Sequence, residues 1–240
     1  MEKLELKDSQ HPIDPSVFKW RHFIYAVLVY GLLMFASIIP LVIFDEITGT
    51  GYSDKILNGP YQGLLLDSFI VLLVIFIIRP FRHHVFRKQT WELSIFKKRK
   101  TYVVIIGVLL LNSLFQYIVN GIYQLESNGE QLKSLNLDPQ DNYGGLTLFF
   151  IFLAIAIITP VKEEILYRLL PKILLGKYHA AILILISTVV FAAGHTGAYI
   201  SAGFMGLLFM LSYLYTRSIF VSITIHVIWN FYSYCMLFLL

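Results

Sequence analysis

The chain has 240 residues, 57% hydrophobic and 14% charged, with a net charge of +4 and a mean hydropathy of +0.70. An ordinary soluble domain is about 25% charged, so these proportions exclude a water-facing surface over most of the chain. Cys235 is the single cysteine, which excludes an intrachain disulfide.

Residues 1–20 are polar and hold no apolar stretch followed by a cleavage site, so no removable signal peptide is expected. The first apolar run then serves as an uncleaved anchor. Crossing about 30 Å of hydrocarbon takes roughly 20 apolar residues. Phe23–Phe44, Leu64–Ile78 (starting near Tyr61 and tolerating Asp67) and Tyr102–Ile122 fit that length. Leu146–Thr159 is short but can run on past Pro160, and Ala180–Gly194, Tyr199–Tyr215 and Ile219–Leu240 complete the set. The expected fold is an all-α, polytopic transmembrane bundle of about seven spans, within a range of six to eight. It reads as one integral membrane domain, with N-terminal helices and a basic loop in 1–145 and the chemistry-bearing helices in 146–240.

Orientation follows from Lys and Arg. Arg79, Arg82, Arg87, Lys88, Lys97, Lys98, Arg99 and Lys100 lie between two spans against the single acid Glu92. That loop is expected in the cytoplasm, where it also attracts anionic lipid. The connections 45–60 and 123–145 carry Lys55 and Lys133 among several acids, so they are expected outside. The N-terminus is then cytoplasmic. No nucleic-acid partner is expected from a basic segment of this kind.

The chemistry sits in the last hundred residues. Val161-Lys162-Glu163-Glu164-Ile165-Leu166-Tyr167-Arg168 sets two carboxylates in an apolar stretch. An ionisable group at membrane depth is costly unless paired or hydrated, which makes it a functional candidate. At about 100° per residue, Glu164 and Arg168 fall on one helix face one turn apart and read as an internal ion pair. Glu163 points about 140° away from Arg168 and is left free to act as a base. Phe191-Ala192-Ala193-Gly194-His195 ends one apolar run with an imidazole. His226 and Asn230 project from one face of the last run, where they could bind water, donate to an oxyanion or ligate a metal. Read singly, each pattern also fits a bland role: helix capping at the cytoplasmic surface, an interfacial histidine, or interhelical hydrogen bonding.

Together the three patterns, Glu-Glu-x-x-x-Arg, Phe-x-x-x-His and His-x-x-x-Asn, occur in order on three apolar stretches about 30 residues apart. In this the chain resembles the CAAX-processing and bacteriocin-processing intramembrane proteases, the Abi or CPBP family, over Leu146–Asn230. The resemblance implies a peptidase in the cell membrane acting on small hydrophobic or membrane-anchored peptides, in peptide maturation, bacteriocin processing or self-immunity. It assigns Glu163, Glu164, Arg168, His195, His226 and Asn230 to the site. Glu163 would activate the attacking water with help from His195, and His226 with Asn230 would stabilise the oxyanion. No metal or other cofactor is committed; a zinc ion, were one present, would use Glu163, His195 and His226. The contrasting expectations are a non-catalytic scaffold or immunity protein that binds a peptide or a sensor partner, and a transporter or channel.

Counted along the helices, His195 lies more than about 20 Å from Ala180, deeper than Glu163 or His226. Tilt, a break at Pro171 or a deeper helix start would reconcile them. Asn112, Gln116 and Asn120 repeat at four-residue spacing and form a polar stripe suited to interhelical hydrogen bonds or to lining a substrate or water path. Asp67 is expected near the outer interface, with an intramembrane role as the alternative, Ala202 and Gly206 at a close helix contact, and His83 and His84 in solvent.

Overall fold

The computed structural model describes residues 20–86, 91–126, 128–175 and 179–239. The expectation of no signal peptide in residues 1–20, and Arg87 and Lys88 of the basic segment, lie largely or wholly outside them. The described residues are helical throughout, with no strand among them. The elements in chain order are α1 (Trp20–Thr48), α2 (Tyr52–Leu57), α3 (Gln62–Ile77), α4 (Arg79–Val85), α5 (Arg99–Ile122), α6 (Asn128–Ser134), α7 (Gly145–Leu175), α8 (Ala180–Ala193), α9 (Tyr199–Thr216) and α10 (Ile219–Phe238).

Five of these helices, α1, α5, α7, α9 and α10, are long and apolar enough to cross a membrane. A sixth span arises if α3 and α4, bent by 99° at their junction, count as one. The expected seventh is α8, apolar but only 14 residues long. The polytopic all-α bundle is thus the observed architecture. Lipid-facing surface is plain on α1, which buries none of its residues and presents Leu28, Leu32 and Phe35 at over 60% exposure.

Three core clusters stack along the bundle. One gathers Leu169, Leu170, Leu183, Tyr213 and Ile219 with Phe81 and Val85 of α4. The next holds Ile105, Phe191, Phe209 and Ile225. The last packs Ile151 and Tyr234 against Leu137, beyond α6. The middle cluster carries the polar residues of interest.

The backbone of α7 is what places them. Two stretches of it, Leu153–Ile158 and Ile165–Leu169, are wound as π-helix. Each ends two residues before a proline, Pro160 and Pro171. A proline ring clashes with the carbonyl four residues back and supplies no N–H. Widening the turn to five residues moves that carbonyl away. The helix therefore runs on to Leu175 without a break at Pro171. Glu163 then stands roughly 18 Å from Leu175, and His195 roughly 22 Å from Ala180, at 1.5 Å per residue. The two depths agree. His226 is about 10 Å along α10 from Ile219, and Ile219 belongs to the same core cluster as Leu170 and Leu183.

One expectation about polar residues gives way. His83 is exposed but His84 is buried, at 4% exposure, because α4 folds back against the bundle instead of standing in the loop. The Asp67 carboxylate takes Lys162 Nζ at 2.6 Å and the Tyr30 hydroxyl at 2.6 Å. These bonds join α1, α3 and α7 beside Glu163 in the chain.

Candidate active site

The two adjacent carboxylates of α7 occupy different surroundings. Glu164 is fully buried and ringed by partners. Arg168 Nε donates to its Oε2 at 3.1 Å and Nη2 to its Oε1 at 3.4 Å, so the one-turn ion pair is present and forked. Ser222 Oγ donates to Oε2, and His226 Nδ1 lies 3.1 Å from Oε1. Glu163 keeps 15% side-chain exposure, and its Oε2 lies 3.7 Å from His226 Nε2. One imidazole therefore lies between both carboxylates, using opposite ring nitrogens. A carboxylate can only accept, so the short contact at Nδ1 places a proton there and leaves Nε2 as the nitrogen on the Glu163 side.

Arg168, with no exposed surface, also donates from Nη1 to Ser187 Oγ at 2.7 Å. Its guanidinium lies 4.8 Å from the centre of the Phe191 ring and 5.8 Å from that of Phe209, a desolvated cation–π arrangement. The same two rings contact the His226 imidazole, at 5.8 and 4.9 Å. Phe191 is seated because α9 has glycine opposite it: a Cβ at Gly206 would come within 2.9 Å of Phe191 Cδ1. The small pair Ala202 and Gly206 is indeed a close contact.

His195 and Asn230 belong to an adjoining space. They line a cavity of about 150 Å³ together with Gln116, Met205 and Trp229. His195 Nδ1 is 2.8 Å from the Phe191 carbonyl, which can only accept, so Nδ1 carries the proton and Nε2 a lone pair. Phe191 touches both imidazoles, with its ring centre 4.5 Å from that of His195. Asn230 Nδ2 donates to the Ile155 carbonyl at 3.0 Å. That carbonyl is vacant for a reason in the backbone. Thr159 N–H bonds Ala154 O in the five-residue register, and the next bond would join residue 160 to Ile155. Pro160 has no N–H, so the asparagine takes the acceptor. Similarly, the Tyr167 carbonyl in the second π stretch accepts from Ser187 Oγ at 2.5 Å.

Of the six residues expected at the site, the structure joins Glu163, Glu164, Arg168 and His226 in one network and sets His195 and Asn230 at the cavity beside it. The conditional zinc set of Glu163, His195 and His226 does not fit. No three His, Cys, Asp or Glu side chains among the described residues converge so as to hold a metal ion. The nearest approach, Glu163–His226–Glu164, spends opposite nitrogens of one ring and shares no centre. The sequence reading missed Ser187, Ser222, Lys162 and Asp67. For Ser222 there was a signal, since Ser222, His226 and Asn230 follow each other at four-residue steps on α10. The polar stripe of α5 does make an interhelical bond, from Asn120 Nδ2 to Ser201 Oγ at 3.3 Å, alongside one to Gln116 at 2.8 Å.

Residues 145–232 match the family model described as type II CAAX prenyl endopeptidase Rce1-like. The match agrees with the resemblance drawn from the three motifs. The Rce1-like segment runs from the start of α7 into α10 and contains all six expected residues, while α1 to α6 lie outside it. No curated protein and no solved structure matches the chain. What stands is a multi-pass membrane protein whose last helices are similar to the Rce1-like family over residues 145–232.

Proposed function

We propose that this protein is an intramembrane endopeptidase, acting through a water activated by Glu163 on small hydrophobic or membrane-anchored peptides. The observation that carries this reading is the unequal treatment of two neighbouring glutamates. Glu164 is saturated by Arg168, Ser222 and His226, whereas Glu163 is partly open and faces the free side of the same imidazole. One carboxylate orients the ring; the other is available to take a proton.

In the proposed reaction Glu163 accepts a proton from water as the water oxygen bonds to the scissile carbonyl carbon. The carbonyl electron pair moves onto its oxygen. Asn230 offers this oxyanion the amide hydrogen that Ile155 does not use, while His226, its Nδ1–H held on Glu164, lines the same side of the site. His195 accepts from the water through Nε2. The proton then passes from Glu163 to the leaving nitrogen as the C–N bond breaks, giving one carboxylic acid and one amine. The protein would lie in the cell membrane with a cytoplasmic N-terminus, supported by the cluster Lys97, Lys98, Arg99 and Lys100 at the start of α5. Maturation of a secreted or anchored peptide, or immunity against one, is the role such an activity would serve.

The test is Glu163→Gln against wild type in proteoliposomes supplied with extracted small membrane peptides, read by mass spectrometry. Loss of a general base should slow cleavage by about 10²–10⁴-fold at unchanged protein level. Equal cleavage by the variant would remove Glu163 from the chemistry and with it the proposal.

A further inference from the structure

The cavity beside the site has one wall that the Rce1-like segment does not supply. Gln131, Leu132, Leu135 and Leu137, from α6 and the turn after it, close the space opposite His195, Met205 and Asn230. This wall is fastened at three points. Glu126 accepts the backbone N–H of Ile200 at 2.5 Å and of Ser201 at 2.9 Å, two otherwise orphaned donors in the first turn of α9. Gly197, with φ of +78°, lets α6 lie directly on the turn after His195; a Cβ there would stand 2.5 Å from Glu130 Cβ. Leu137, at 4% exposure, is part of the core cluster with Ile151 and Tyr234. Glu126, Glu130 and Leu137 thus tie this wall to α9, to the turn after His195 and to the core.

The size and lining of the cavity limit what it can take. Its 150 Å³ is about the volume of an engineered apolar cavity that accepts a benzene molecule. Three leucines of the α6 wall and Met205 line it with apolar surface, while Gln116, Gln131 and Ser201 add polar groups able to meet peptide N–H and C=O. Resting on the peptidase reading above, we infer that this cavity is the subsite for one mid-sized apolar side chain of the peptide, such as Leu, Met or Phe. Leu132 and Leu135 determine which side chain enters, and Gln131 holds the adjoining peptide backbone. Selectivity in this protein is therefore written outside the segment that carries the chemistry.

The experiment uses the full chain in phosphatidylethanolamine–phosphatidylglycerol nanodiscs. The probes are acetylated apolar octapeptides that differ at one position (Ala, Leu, Phe or Trp) and carry a diazirine beside it. Cross-linking mapped by mass spectrometry reports binding, and product formation is followed in parallel. Wild type should label α6 and α10 with Leu and Phe peptides about tenfold more than with Ala or Trp peptides, the scale that a methylene-sized misfit sets. Leu132→Ala should shift the preference to Trp, and Leu135→Phe should shift it to Ala. Should Leu135→Phe fail to fold, Leu132→Ala alone decides. Labelling in the expected order without any cleavage would uphold the subsite and sink the peptidase reading. Cleavage whose side-chain preference ignores both variants would uphold the peptidase reading and overturn the subsite.

Discussion

Replacing Arg168 by Met removes the hub of the buried network while nearly keeping its volume. The lost bonds are two to Glu164, at 3.1 and 3.4 Å, one to Ser187 at 2.7 Å and one to the Tyr167 carbonyl at 3.4 Å, around a guanidinium with no exposed surface. Glu164 would keep Ser222 and His226 but lose its only full positive charge. Stripping one partner from a buried pair costs about 3–5 kcal/mol, because the other charge stays buried and uncompensated. Changing both ends, Glu164→Gln with Arg168→Met, removes the stranded charge, so the double variant should be less destabilised than the sum of the singles by about 2 kcal/mol. Arg168→Lys keeps the charge but cannot fork, and should fall between. Reversible unfolding in mixed micelles, followed by circular dichroism, measures all four. A cost below about 1 kcal/mol for Arg168→Met, with purely additive singles, would refute the claim that Glu164 is held as a paired anion.

Asp67→Asn leaves Lys162 at 8% exposure without its anion; as Asp67 is one-third exposed, the cost should be about 1–2 kcal/mol, read in the same unfolding assay. The same variant should weaken the attachment of α1, whose Tyr30 bonds that carboxylate, and speed amide exchange in Trp20–Thr48. Gly206→Ala drives a Cβ to 2.9 Å from the Phe191 ring and should cost about 1–3 kcal/mol; Phe191→Leu in the same chain should recover part of it. Gly197→Ala meets both a left-handed backbone and Glu130, so exchange protection in α6 should fall while that of α7 holds.

Much of the site could be read from spacing within single helices. The Glu164–Arg168 pair and the shared face of His226 and Asn230 both follow from 3.6 residues per turn, and both stand in the structure. What spacing could not give was anything set by another helix. Lys162 and Asp67 are 95 residues apart, and no local pattern links them. Pro171 reads as a break, yet the π stretch before it lets α7 continue, which corrects the apparent mismatch in depth. His84 looked solvated by composition because the 99° bend between α3 and α4 is not written in hydropathy. The connection 123–145 was read from its charges alone, and the burial of Leu137 in it depends on Ile151 and Tyr234, which no local pattern links to it.

The Ile155 carbonyl ties a main-chain defect to a distant side chain. Substituting alanine at Pro160 would restore an amide in register to bond the Ile155 carbonyl, so that Asn230 would share that oxygen with the main chain. A shared acceptor holds Asn230 less firmly, although the asparagine itself is unaltered. Sequence drift at position 160 is then constrained by the asparagine 70 residues further on, and the two should change together or not at all.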